Sequence, residues 1–226
     1  MRLENVAENY DEASKWYDFF TKYLLDWLLG LGKYRERVLD RLGDLRGSRV
    51  LEIGCGTGLN FKHILPRLKP GGSLVGLDYS SGMLEKARRK IEANDWKRIT
   101  LVKDDAAKLE KVEGSFDAIV GYWCYGIVHD LDEALNKALE ILSPGGQIAI
   151  LDFQRTKPEN RWLCLLYPLY RRLLIAAKID SPKDLDDEHI QQKWMKARSL
   201  LRRRLTNYHE ESYLFGMGIL ISGEVL

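Results

Sequence analysis

Three glycines at alternate positions stand in Val50-Leu-Glu-Ile-Gly-Cys-Gly-Thr-Gly-Leu59, within and just after an apolar run. Glycine adopts left-handed dihedrals without penalty and carries no Cβ, so a turn through Gly54, Gly56 and Gly58 lets the backbone pass very close to a ligand. A dinucleotide fold requires G-x-G-x-x-G, and Leu59 occupies the position of its last glycine. No Gly-Lys-Ser/Thr follows, so a phosphate loop is excluded as well. Asp78 closes the next apolar run about 20 residues on, where one carboxylate meets both hydroxyls of a ribose in nucleoside-binding α/β folds. Asp104-Asp105-Ala106 follow a third run and reach the same crevice, where a carboxylate can accept from the amino group of a base. Glu52, inside the first run, is expected to face a cationic ligand. A glycine turn without phosphate-binding cations, joined to a ribose-binding acid, suits a nucleoside with a positive tail.

Such residues must be held at one edge of a sheet. Arg49–Ile53 and Ser73–Asp78 read as buried strands, with further strands at 99–102, 116–120 and 147–153. Between them, Phe61, Ile64, Leu65 and Leu68 recur at helical spacing. Ser80 or Ser81 caps a helix carrying Met83, Leu84, Ala87 and Ile91, and a third helix covers 130–142 ahead of a Ser143-Pro-Gly-Gly turn. Strands alternating with helices make βαβ units, hence a Rossmann-like, doubly wound α/β fold with a mostly parallel seven-stranded sheet. The β-rich tail at 205–225, with Gly216 and Gly218 between its runs, predicts a closing antiparallel hairpin. Two segments lie outside the alternation: an N-terminal helical lid and a helical insertion before the last two strands. The chain thus divides into a lid (1–45), an α/β core (46–156), a cap (157–200) and closing strands (201–226).

The 226 residues are 45% hydrophobic and 30% charged, with 35 Lys plus Arg against 33 Asp plus Glu. This is a globular mixture, which excludes disorder and disulfide-stapled miniproteins. A net charge of +2 is too mild to announce a nucleic-acid binder. Cys55, Cys124 and Cys164 are odd in number, widely spaced and without a CxxC pair, so free thiols are expected and no metal site. The N-terminus lacks the apolar segment of a secretory signal, and no run approaches the roughly 20 apolar residues of a membrane span. A cytoplasmic protein is expected.

The segments EIGCGTGL, LVGLDYSSGMLEKARRK, KDDAA, SFDAIVGY and LSPGGQIAILDF resemble, in order and spacing, the motifs of class I S-adenosylmethionine-dependent methyltransferases. The resemblance spans about residues 48–153. It implies S-adenosylmethionine as cofactor, leaving as S-adenosylhomocysteine. Gly54, Cys55, Gly56, Thr57 and Gly58 would then pass under the methionine moiety, beside Glu52. Asp78 would hold the ribose and Asp105 with Ala106 would flank the adenine. Tyr79 and Met83 would form apolar walls, and Gly121 and Tyr122 would close the far side. The pairs Tyr10-Asp11 and Tyr17-Asp18 are similar to the opening of the ubiquinone/menaquinone methyltransferase subgroup, in which that helix closes over the cofactor. An aromatic stripe at helical spacing also suits a plain core face.

Tyr122, Trp123, Cys124 and Tyr125 come where substrate meets the methyl group in this fold, so Tyr122 and Trp123 are candidate catalytic residues. Their rings could hold a methylated ammonium, and Cys124 reads as a small wall residue. His129 is the candidate general base for carbon methylation, or simply the start of the next helix. Residues 155–204 carry 13 basic and 6 acidic side chains, a net of 13 − 6 = +7, after an apolar stretch rich in Leu and Trp. That composition predicts either a packed cap or a helix lying on an anionic membrane surface, peripheral to the inner face of the membrane. GTGLN and LYPLYRR look like phospholipid N-methyltransferases, whereas LDFQRTKP looks like quinone methyltransferases. A lipophilic acceptor is therefore expected, a phospholipid headgroup amine or a prenylated quinol. A small soluble acceptor, or cofactor binding without catalysis, is the alternative. The run KWMKARSLLRRR at 193–204 raises an RNA acceptor, but its single Trp194 offers no stacking platform.

Overall fold

The computed structural model of the chain describes residues 10–11, 14, 17–19, 21, 26, 30–154, 162, 164–165, 168–169, 172 and 187–226. Nearly half of the predicted lid and just over half of the predicted cap lie outside the described residues. After α1 (Gly32–Arg41), the chain runs β1 (Arg49–Ile53), α2 (Phe61–Arg67), β2 (Ser73–Asp78), α3 (Ser81–Ala93) and β3 (Ile99–Lys103). It continues through β4 (Phe116–Tyr122), a short 3-10 turn at Tyr125–Ile127, α4 (Leu131–Glu140), β5 (Leu142–Phe153), α5 (Asp187–Arg204), β6 (Leu205–Tyr213) and β7 (Gly218–Val225).

The seven strands lie in the order β3-β2-β1-β4-β5-β7-β6. β3, β2, β1, β4 and β5 pair in parallel, and the β6–β7 hairpin closes the edge antiparallel, as the tail's patterning predicts. β1, β2 and β4 are buried on both faces, which is why they read as near-continuous apolar runs. On one face α4 and α5 pack Leu135, Leu139, Trp194 and Leu201 against Ile119 and Ile148. On the other, α1 to α3 bring Leu39, Ile64 and Leu84 onto Val50 and Leu74. Ser80 caps α3 by accepting from the Met83 amide at 3.1 Å, and Asp130 caps α4 by accepting from Glu133 at 3.0 Å.

One expectation is corrected. Ser143-Pro-Gly-Gly does not separate helix from strand. It is a bulge inside β5, where the register on β4 jumps from Phe116↔Leu142 to Ala118↔Gln147, with Gly145 at φ +76°. The basic segment 193–204 lies on α5, with Trp194 buried in the core at 1% exposure. Its Arg198 and Arg202 engage Glu210 at 3.2 and 2.8 Å, so Trp194 is not available to stack on a base.

Candidate active site

Strand order reverses between β1 and β4, because β1 is followed by β2 on one side and β4 joins on the other. A crevice forms outside the carboxyl ends of the strands at such a switch point. Here it encloses about 760 Å³ of non-atom space, part of it open to solvent.

The three glycines of the turn all have positive φ but do different work. Gly54 packs so tightly that a Cβ there would lie 2.3 Å from the Cβ of Cys124. Gly58 is pressed on the Phe61 ring, 2.6 Å from where its Cβ would be. Gly56 alone has nothing within 4 Å of that position, and it lines the cavity. Cys55 and Thr57 point away from the crevice: Cys55 is buried with its sulfur 3.1 Å from the Cβ position of Gly76, and Thr57 is tied to Asp18 and Lys90.

The Asp78 carboxylate accepts one amide on each oxygen, from Gly56 at 2.8 Å and from Ser80 at 2.9 Å. Each oxygen keeps a lone pair for a further donor. Burial pushes this carboxyl up, while the backbone amides of Ser80, Gly56 and Tyr79 pull it back. Beside it, the oxygens of Asp104 are taken by the amides of Asp105 and Lys111. Asp105 spends Oδ1 on Ala107, and its Oδ2 is buried without a partner. A ligand with a donor pair near Asp78 and an amino group near Asp105 fits these vacant acceptors. Tyr79, Met83 and Ala106 complete this end.

Tyr10 and Tyr17 line the cavity with ring centroids 6.4 Å apart. Their adjacent aspartates explain how they are held. Asp11 Oδ1 accepts from the Gly82 amide at 2.7 Å and from the Ser80 hydroxyl at 2.5 Å, at the start of α3. Asp18 accepts from the Thr57 hydroxyl and pairs with Lys90 at 2.5 Å, beside the glycine turn.

Tyr122, Trp123 and Cys124 wall the opposite end. Tyr122 is the last residue of β4, and its hydroxyl donates to the Arg35 carbonyl at 3.3 Å. The Cys124 thiol donates to the Ile53 carbonyl at 3.1 Å, and burial pushes its pKa well up, so it is no thiolate nucleophile. Tyr125 is fully buried and outside the lining, with Gly121 seated on its ring. Gly121 therefore serves packing and does not face the cavity.

Two further expectations move. Glu52 is fully buried, does not line the cavity, and accepts from the Asn60 amide at 2.6 Å. Burial raises its pKa to about 8. His129 is also outside the lining, its Nδ1 4.0 Å from Asp105 Oδ1. Sequence reasoning missed Ile53, Leu77, Ile127 and Val128, all of which line the cavity. The first two were signalled by their positions at or next to the ends of β1 and β2. Among the described residues no cluster suits a metal ion, and no helix is long and apolar enough to cross a membrane.

Residues 50–146 match a family model described as a methyltransferase domain. The chain is 31% identical over 150 residues to a demethylmenaquinone methyltransferase of Thermus thermophilus, covering 65% of this chain and 66% of the relative. It is 32% identical over 120 residues to that of Lactococcus lactis, covering 53% and 47%. It thus spans about half to two thirds of the length of these relatives. A SAM-dependent methyltransferase from Aquifex aeolicus superposes with a TM-score of 0.60 at 14% identity, over 85% of this chain and 89% of its own. The N-methyltransferase NodS from Bradyrhizobium japonicum, solved with S-adenosyl-L-homocysteine, gives 0.62 at 15% identity over 98% of each chain. Domain model, curated relatives and shared sheet agree: the chain carries a methyltransferase domain with the fold of the class I S-adenosylmethionine-dependent methyltransferases.

Proposed function

We propose that this protein transfers a methyl group from S-adenosylmethionine to a ring carbon of a lipophilic quinol. The observation that carries the acceptor class is the aromatic far wall, where Tyr122 and Trp123 line the cavity with ring planes 52° apart and Tyr125 is buried outside it. The names of the curated relatives, demethylmenaquinone methyltransferases, support the same class.

In this reading Asp78 would hold the ribose diol, Asp105 Oδ2 the adenine amino group, and the bare Gly56 the methionine portion. Bound S-adenosylmethionine supplies a methyl already activated by its sulfonium charge. The protein's part is alignment: well-held geometry removes about 7–11 kcal/mol of barrier in favourable cases. Tyr122 and Trp123 would wall the acceptor ring beside the methyl-bearing end. Tyr10 and Tyr17, tethered through Asp11 and Asp18, cover the cofactor and exclude water. No histidine lines the cavity among the described residues, so the acceptor's proton leaves through the solvent-open mouth.

The reading also places the protein at a membrane surface. Trp162, Leu165 and Leu169 are helical and exposed, at 78%, 72% and 56%. Their i, i+3, i+7 spacing is that of one helix face, and exposed Arg172 follows in sequence. An apolar face edged by cations suits an anionic bilayer, from which a prenylated acceptor is reached.

The test is the destination of a labelled methyl group. Protein, labelled S-adenosylmethionine and anionic vesicles containing both a demethylated naphthoquinol and phosphatidylethanolamine are incubated and the lipids separated. Label in the quinol supports the proposal. Label only in the phosphatidylethanolamine establishes the amine reading instead.

A further inference from the structure

Trp123 is a bulky residue in the left-handed region, at φ +53°. Such a conformation in a non-glycine residue persists only when its surroundings over-determine it. They do here. Its amide donates to the Leu151 carbonyl at 2.7 Å, and its indole Nε1 donates to the Tyr213 hydroxyl at 2.9 Å. Tyr213 in turn donates to the Asp152 carbonyl at 3.1 Å. Phe153 stacks on the ring with centroids 6.3 Å apart and planes 22° apart. The remaining support comes from α1: the Arg35 guanidinium carbon lies over the indole, 4.6 Å from its centroid.

Arg35 is buried, and the groups facing it can be named. Its Nε meets Asp26 at 3.3 Å, its NH1 donates to Asn60, and Glu52, Tyr122 and Tyr17 lie within reach of its charge. The Asp26 side chain is 27% exposed against 4% for Arg35, so the pair meets water on its acidic side. Glu52, with its carboxyl raised to about 8, is largely uncharged near pH 7. The wall of the acceptor end is therefore an indole backed by a buried, ion-paired guanidinium.

We propose that Arg35 is a positioning and specificity residue: acting through Trp123, it selects an electron-rich hydroxylated ring and rejects a cationic amine. An aromatic face that already hosts one cation attracts a second less, because the two repel across it. The same charge favours a phenolic oxygen that is giving up its proton. The inference rests on the quinol reading and refines it.

Calorimetry on the full chain saturated with S-adenosylhomocysteine, using 1-naphthol and tetramethylammonium as probes, separates the two. Wild-type protein is expected to bind 1-naphthol at least tenfold more tightly than tetramethylammonium. Arg35→Met should cut that preference at least fivefold with the affinity for S-adenosylhomocysteine within twofold, and Arg35→Lys should restore most of it. Arg35→Gln keeps a donor for Asn60 and takes the place of Arg35→Met if that variant does not fold. A preference unchanged on removing the charge overturns the role of Arg35 and leaves the quinol reading standing. A wild-type protein that favours tetramethylammonium, or binds neither probe, overturns the quinol reading and this inference with it.

Discussion

Lys90 Nζ and Asp18 Oδ2 meet at 2.5 Å, and the same ammonium donates to the carbonyl and hydroxyl of Thr57 in the glycine turn. A residue of α3 thus ties the tyrosine-bearing N-terminal segment to the loop on which the cofactor is expected to lie. Asp18→Ala and Asp11→Ala should each weaken binding of S-adenosylhomocysteine by about three- to tenfold, the scale of one charge-assisted contact. Thermal midpoints without ligand should change little. Hydrogen exchange over residues 10–19, slowed by ligand in the parent but not in the variants, checks that the tethers act on the segment.

The glycines should separate structure from binding. Gly54→Ala puts a Cβ 2.3 Å from Cys124 Cβ and should abolish folded protein. Gly56→Ala meets nothing within 4 Å and carries only the strain of φ +55°, about 1–2 kcal/mol. It should fold, yet bind S-adenosylhomocysteine at least tenfold more weakly, since its methyl group projects into the crevice. Circular dichroism melts followed by calorimetry distinguish the two behaviours.

Glu52 predicts a pH dependence of stability. Its folded-state pKa, about 8, lies above the ordinary 4.5, so the folded state holds an extra proton between those values. Stability contributed by the protonated form is complete below about pH 4.5 and falls as pH rises towards 8. Glu52→Gln removes this slope. Its thermal midpoint relative to the parent should rise between pH 5 and pH 8, by roughly 2–4 °C for each kcal/mol involved. Parallel curves across that range would contradict the assignment.

His129 stands beside Asp105 and does not line the cavity. His129→Ala should therefore reduce kcat for the quinol less than about threefold. A loss of a hundredfold or more would restore His129 as the general base, the size expected when such a group is removed.

The strands were legible because they are buried on both faces: Arg49–Ile53 and Ser73–Asp78 have the ends that their apolar runs suggest. So was the order of chemical groups along the sheet edge, since Gly56, Asp78 and Asp105 each follow a strand and meet at one switch point. The bulge at Ser143 to Gly146 was not legible, because a Pro-Gly-Gly run has the same composition whether it turns the chain or is extruded from a strand. Nor was the Arg35–Asn60–Glu52 cluster, which joins α1, the start of α2 and β1 over distances in sequence that no local pattern records. In the Tyr-Asp pairs the tyrosines drew notice, while the aspartates that anchor them needed Gly82, Thr57 and Lys90 in place to be understood.

Titration of S-adenosylhomocysteine into the protein, beside Asp78→Ala, bears most directly on the whole account. One site per chain is predicted, with affinity reduced at least thirtyfold when the Asp78 carboxylate is removed. Absence of binding to the parent, or equal affinity in the two proteins, would contradict it.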